Sequence, residues 1–388
     1  MSVLVINCGS SSIKYQLLDV DDPKKNHSKS NDLRGLIEQI GTIVPDHTAA
    51  LRMVANDVTE HLKKHKGTLT AIGHRVVHGG AQYSAPTLIT NDVIDTIDRL
   101  SVLAPLHNPA SNDGIRAASE SFPDVPQVAV FDTAFHMTIP QAHKTYAVPE
   151  EWVTKYGVQR YGFHGTSHMY VSQLCTQWLH SEHQIIPANS RIVVLHLGNG
   201  ASACAVKGGE SIDTSMGLTP LPGLVMGTRS GDVDPAVFGH LHRVAGMSID
   251  EIDFALNRQS GLLGVAGVSD MRVVEERINA GDKKAELAMG IYIHRIVSTV
   301  GAYAAILGGL DAVAFTAGVG ENSSTVRARI AKGLSGFGIK LDDGLNRNLK
   351  TDPSIVKTIS SATSSAALLV VPTNEELEIA NQTLSALT

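Results

Sequence analysis

Cysteine is scarce: Cys8, Cys175 and Cys204 are the only three in 388 residues. They show neither CxxC spacing nor an even framework. That excludes a disulfide scaffold and a cysteine-built zinc site, and it fits reduced thiols in a cytosolic protein. Aromatic residues make up only 5% of the chain, too few for a base-stacking surface. Neither sign of charge dominates, the formal net charge being −6, so neither nucleic acid nor an anionic membrane is an expected partner. No apolar run approaches the roughly 20 residues that a membrane helix needs. The short apolar run at residues 3–6 stops at Asn7 and has no basic leader, so a signal peptide is not expected.

What is present is an ordinary globular composition, 43% hydrophobic and 18% charged, with 35 glycines. The length exceeds what one core serves, so two domains are the default. Residues 3–6 and 13–20 read as strands around a Gly-Ser turn, and 21–31 as a surface loop. Helical spacing covers 46–64, 91–103 and 109–121, with strands at 71–77 and 125–130 between and after them. A second block brings helices at 150–156 and 165–180, then strands at 192–197 and 201–206 around Gly198-Asn199-Gly200. Helices at 235–245, 249–256 and 282–307 follow. A strand at 312–316, a helix at 323–334, a strand at 368–371 and a helix from about 374 complete the chain. Alternating strands and helices make the class α/β.

Residues 3–10 and 192–200 form a weak internal repeat, each an apolar strand running into a turn with Asn and Gly. Two such hairpins imply two domains with the same core, each offering a phosphate loop. In the first loop, Asn7, Ser10, Ser12 and Lys14 join close backbone approach at Gly9 to hydroxyl donors and a cation, as phosphate binding requires; a polar hairpin turn would use the same residues. The second loop holds His196, Leu197, Gly198, Asn199 and Gly200, and Asn-Gly is also the commonest hairpin turn. Residues 317–322 read as a Gly-rich turn between a buried strand and a helix, where a nucleotide can approach backbone.

Arg75 lies inside a strand, where a guanidinium needs an anion, either a structural carboxylate or a ligand. Arg229 sits in a Gly-flanked loop, and two arginines can clamp a transferring phosphoryl group. Asp132 follows a strand end, where it can face a cleft or cap a helix. His164 and His168 are four residues apart without a third ligand nearby, so a neutral donor role suits His164 better than zinc, and His168 reads as structural. His107 enters a helix. Thr373 and Glu376 fit a capping box, while Glu375 can bind Mg²⁺.

Taken together, NCGSSSIKY, GHRVVHGG, APLHNP, VFDTAFH, RYGFHGTSH, HLGNGAS, MGTRSGDVDP, GLLGVAGVSDMR, FTAGVGEN and PTNEE resemble the acetate kinase family, in the acetate and sugar kinase, heat-shock chaperone and actin superfamily. The resemblance spans nearly the whole chain. It implies two duplicated actin-like (ribonuclease H-like) cores around a nucleotide cleft, one from residues 1–136 with 377–388 and one from 137–376. It implies Mg²⁺-dependent transfer from ATP to acetate, giving acetyl phosphate and ADP, with Mn²⁺ able to substitute, in a cytoplasmic homodimer.

By the same resemblance, Asn7, Ser10, Ser12 and Lys14 form the first phosphate loop, and 196–200 the second. Arg75 and Arg229 flank the phosphoryl group, Asp132 orients the nucleophile or steers Arg75, and His164 stabilises the transition state with His107 assisting. Glu375 and Asn7 serve the metal. Asp270, Met271, Arg272, Gly318, Val319, Gly320, Glu321 and Asn322 hold the adenosine. Val77, Leu106, Phe163 and Pro220 match the acyl pocket, and valine at 77 matches the acetate version. Against the family pattern, the loop at 21–48 is short and residues 136–139 vary.

A propionate or butyrate kinase would differ mainly in that pocket. A non-catalytic nucleotide switch would not need Arg75, Asp132, Arg229 and Glu375 together. A sugar kinase would need a polar, roomier acceptor pocket.

Overall fold

A computed structural model describes residues 1–20, 33–105, 107–350 and 355–388. The expected surface loop at 21–31 and the pocket candidate Leu106 lie outside the described residues. The chain divides into two compact units, Met1–Met137 with Gly165–Ser167 and Asn374–Thr388, and Thr138–His164 with His168–Thr373.

The first unit holds β1 (Ser2–Cys8), β2 (Ser12–Asp19), β3 (Leu33–Glu38), β4 (Leu69–Val76), β5 (Thr87–Leu88) and β6 (Gln127–Phe131). They form one sheet in the order β3-β2-β1-β4-β6-β5. β1 is apolar almost throughout because helices cover both faces of a central strand. Helix His47–His65 packs against helix Asn108–Ser121, while helix Glu375–Ser385 packs on β4, β6 and β1. Leu4, Ile6, Leu51, Val54, Val58 and Ile72 form part of the buried core between sheet and helices. Each such side chain contributes about 1.5–3 kcal/mol by leaving water. Asp46 starts helix His47–His65 by accepting from Ala49 N at 2.7 Å.

The second unit holds β7 (Arg191–Leu197), β8 (Ala201–Lys207), β9 (Glu210–Thr214), β10 (Ala312–Thr316), β11 (Lys357–Thr358) and β12 (Ala367–Val370). Their order is β11-β12-β10-β7-β8-β9. Read in chain order within each unit, the two sheets are identical. A hairpin leads each, its third strand runs antiparallel to the second, and two parallel strands extend the other side. A short antiparallel strand closes each sheet. The duplicated α/β core read from the two hairpins is therefore present in full.

Three local expectations are corrected. Residues 317–322 are not a turn but a short helix, Ala317–Asn322, which starts directly from β10 with Ala317 at φ +62°. The last helix is capped by Asn374, whose side chain accepts from Leu377 N at 3.0 Å, and not by a Thr373–Glu376 box. Part of the 21–48 segment is strand β3. The 25-residue helix Lys283–Leu307 has the length and composition to cross a membrane, contrary to the sequence reading. Its buried stripe, including Ala288, Tyr292, Ile296, Val300 and Leu307, packs within the unit. All three cysteines are free and buried.

Candidate active site

In the first unit the candidate side chains Arg75 and Asp132 lie where β4 and β6 end. The parallel register sets Arg75 beside Val130 and Val76 beside Phe131. Asp132 follows directly, its N–H donating to Val76 O at 2.9 Å. Arg75 donates from Nε to Asp132 Oδ1 at 2.9 Å and from Nη2 to Oδ2 at 2.7 Å, a two-pronged pair. Arg75 Nη2 also lies 3.8 Å from Glu375 Oε2. Burial pulls the Arg75 guanidinium toward neutrality, but the Asp132 and Glu375 carboxylates outweigh it and keep it firmly charged.

Glu375 is raised above the ordinary glutamate value, chiefly by burial, with Asp132 and Glu376 opposing its charge and Arg75 and Lys14 favouring it. Glu376 pairs with Lys14, which lies opposite Asn7 in the β1–β2 hairpin. Gly9 N–H donates to Ser12 O at 2.8 Å and closes the hairpin turn that carries Ser10. Glu375, Glu376 and Asn7 offer oxygen donors only, the set a hard divalent cation such as Mg²⁺ prefers. Among the described residues no group of three or more His, Cys, Asp or Glu side chains is arranged for a metal.

Val77 is half-buried just past β4. The segment behind it is pinned by Asn108, which accepts from His78 N at 3.1 Å and donates to His78 O at 3.0 Å. His107 immediately precedes Asn108 and heads its helix. Gly165 has no room for a side chain, since a Cβ there would lie 2.1 Å from Asp132 O.

In the second unit the β7–β8 hairpin sets His196 opposite Ser202. Ser202 Oγ is hydrogen-bonded to His164 Nδ1 at 2.9 Å and to His168 Nε2 at 2.7 Å. The His164 ring stacks on His196, centroids 4.3 Å apart. His164 itself sits at φ +56°, before helix Gly165–His183. A Cβ on Gly200 would meet the His164 ring at 3.5 Å and Arg229 Nη1 at 3.7 Å. Imidazole and guanidinium thus both face the second loop. Arg229 donates to Pro220 O at 3.1 Å, and among the described residues no carboxylate pairs with it. Burial, with Arg258 adding to it, lowers its pKa. Phe163 is buried and Pro220 half-buried.

Ser202 was missing from the sequence-based set, and hairpin register alone would have found it. With 198–200 as the turn, His196 and Ser202 must pair across the strands.

A cavity of about 580 Å³ in this unit is lined by Gly198, Asn199, Asp270, Met271, Arg272, Gly318, Val319 and Asn322. Asp270 caps helix Met271–Asn279 through Arg272 N at 2.9 Å and pairs with the Arg272 side chain at 2.6 Å. The Arg272 side chain and backbone hold the Asp270 carboxyl down to about 2. Gly320 and Glu321 stand behind the wall: the Glu321 carboxylate turns inward and accepts from Ala317 N at 2.9 Å.

The sequence model of the Acetokinase family matches residues 2–381. The chain belongs to the acetokinase family. It is 51% identical to an acetate kinase of Streptomyces griseus subsp. griseus over 99% of this chain and 95% of that protein. A crystal structure of a Porphyromonas gingivalis acetate kinase aligns at TM-score 0.90 and 39% identity, covering 100% of each chain. A propionate kinase of Francisella tularensis subsp. tularensis SCHU S4 aligns at TM-score 0.88 and 41% identity, covering 99% of each. The chain therefore shares both its core and its length with an acetate kinase and a propionate kinase.

Proposed function

We propose that the chain is an ATP:acetate phosphotransferase that forms acetyl phosphate and ADP reversibly by direct in-line transfer. The observation that carries the reading is Arg229: a guanidinium partly withdrawn from water, beside His164 and the 198–200 loop, with no carboxylate among the described residues to neutralise it. Such a group is poised for an anionic ligand. Family membership supports the carboxylate acceptor.

An acetate oxygen attacks the γ-phosphorus of ATP and the β–γ bridging bond breaks, the electron pair leaving with ADP. Arg75, fixed by Asp132, and Arg229 neutralise charge on the equatorial oxygens, and His164, held by Ser202, donates a hydrogen bond to them, with His107 assisting. Asn7, Ser10, Ser12, Lys14, His196, Leu197, Gly198, Asn199 and Gly200 serve the phosphates. Asp270, Met271, Arg272 and residues 318–322 take the adenosine. Glu375 and Asn7 would hold Mg²⁺ through oxygen, and the ion would supply charge neutralisation to the phosphate chain. The family resemblance assigns the acyl methyl group to Val77, Leu106, Phe163 and Pro220. The domains divide as residues 1–136 with 377–388 and 137–376, and the protein works as a cytoplasmic homodimer. Exposed Leu287, Ile291 and Ile306 on helix Lys283–Leu307 support a partner surface there.

The test is a hydroxamate assay with ATP, Mg²⁺ and acetate, propionate or butyrate. Acyl phosphate forming fastest with acetate is the expected result. ATP binding without acyl phosphate from any acid overturns it. The propionate kinase among the similar structures makes propionate the specific competitor.

A further inference from the structure

Glu321 belongs to the helix Ala317–Asn322 that follows β10, yet its carboxylate does not face the cavity. One atom, Oε1, accepts from Ala317 N at 2.9 Å and from Thr373 N at 3.1 Å, with Thr316 Oγ1 at 3.5 Å. The Ala317 bond stabilises a residue at φ +62°, a conformation that costs a non-glycine residue free energy. The Thr373 bond reaches the last residue of the second unit. Asn374 then caps the final helix, and Glu375 opens it.

The opposite side of the same short helix is held equally firmly. Arg327 is 2% exposed, and its Nη1 donates to Gly320 O and Glu321 O, each at 2.9 Å. Its Nε donates to Asn346 Oδ1 at 2.8 Å and its Nη2 to Asn346 O at 3.2 Å. A buried guanidinium spent on carbonyl oxygens is a costly arrangement, kept where backbone must stay in one place. Held by Arg327 at its carbonyls, the segment is linked to Thr373 by the Glu321 side chain. A shift of Gly318 or Val319 on ligand binding must therefore be felt at Oε1, and through it at Thr373.

We propose that Glu321 is a positioning residue that couples the 318–322 wall of the cavity to the chain segment 373–375, so that nucleotide in the cavity orders the start of the last helix and with it Glu375. The proposal rests on the reading above that this cavity holds nucleotide. Coupling of this kind between two sites is commonly worth 5- to 150-fold in affinity. Reach rather than charge is the requirement. Glutamine keeps an Oε1 acceptor at the same distance from the backbone, whereas aspartate keeps the charge and withdraws it by one methylene.

The test is hydrogen–deuterium exchange of the full-length protein with and without ADP, beside calorimetric ADP affinity, for wild type, Glu321→Asp and Glu321→Gln. In wild type, ADP should protect both 317–323 and 373–377. In Glu321→Asp, protection at 318–323, which Arg327 holds through Gly320 O and Glu321 O, should persist while that at Ala317 and 373–377 is lost, and ADP should bind about tenfold more weakly. Glu321→Gln should restore protection at 373–377 and most of the affinity. A merely structural role would weaken both segments together and would not separate Asp from Gln. Protection confined to 317–323 in wild type overturns the coupling, as does full protection of 373–377 in Glu321→Asp; the wild-type arm decides even if the aspartate variant fails to fold. Absence of ADP protection at 317–323 in wild type removes the nucleotide reading itself, and the coupling with it.

Discussion

Arg75 grips both oxygens of Asp132, at 2.9 Å through Nε and 2.7 Å through Nη2, and Asp132 is 1% exposed. One pair therefore does two jobs: it aims a guanidinium and it neutralises a buried carboxylate. Arg75→Ala should abolish acyl phosphate formation and also destabilise the protein by about 3–5 kcal/mol, because an unpaired buried charge remains. Arg75→Lys should recover part of the stability but little activity, since an ammonium lacks the fork. Urea unfolding run beside the hydroxamate assay separates the two effects.

Arg229 should behave differently. It has no carboxylate to leave behind among the described residues. Arg229→Ala should cost about 100- to 1,000-fold in kcat, as for loss of one transition-state donor, while its unfolding midpoint moves by less than about 1 kcal/mol. A large loss of stability would show that the guanidinium is structural.

Val77 sets the acyl end of the site in the proposed reading. Val77→Ala should shift the ratio of kcat/KM for propionate over acetate upward by about 10- to 200-fold, the range one methylene commands. An unchanged ratio would remove Val77 from the pocket.

His74 titrates as a stability switch. It is 2% exposed and bonded to Gln127 Oε1 at 2.7 Å, and burial brings its pKa down to about 4. The unfolded chain takes up this proton near the usual 6.5 and the folded protein only near 4, so stability is lost as pH falls across that window. The loss from this group is about 2 kcal/mol by pH 5. His74→Gln keeps a donor toward Gln127 and should flatten the stability curve between pH 6.5 and 4, measured by urea unfolding at each pH.

The sheet framework was readable because each central strand is apolar and ends in a Gly- or Asn-bearing turn. Residues 2–8 and 191–197 show it plainly. The helix Ala317–Asn322 was hidden because its sequence, Ala-Gly-Val-Gly, has the composition of a turn. Its shape comes from partners far along the chain, Arg327, Asn346 and Thr373, which no local window contains. The cap on the final helix was misplaced by one residue, since Thr373 N–H is taken by Glu321 and Asn374 is left to cap. Ser202 was overlooked for a different reason: serine in a strand is unremarkable until the register sets it against His196.

The three cysteines make the native protein chemically quiet. Cys8 and Cys204 are pushed up to about 12 by burial, and Cys175 is raised as well. Peroxide and alkylating reagents are electrophiles that react with the thiolate, which the folded chain does not present. Turnover should thus be indifferent to oxidant, and iodoacetamide should label only molecules that have opened. Cys8 reports on the first unit, Cys175 and Cys204 on the second, so a peptide map of alkylation against time reads the opening rate of each half separately, with no engineered probe.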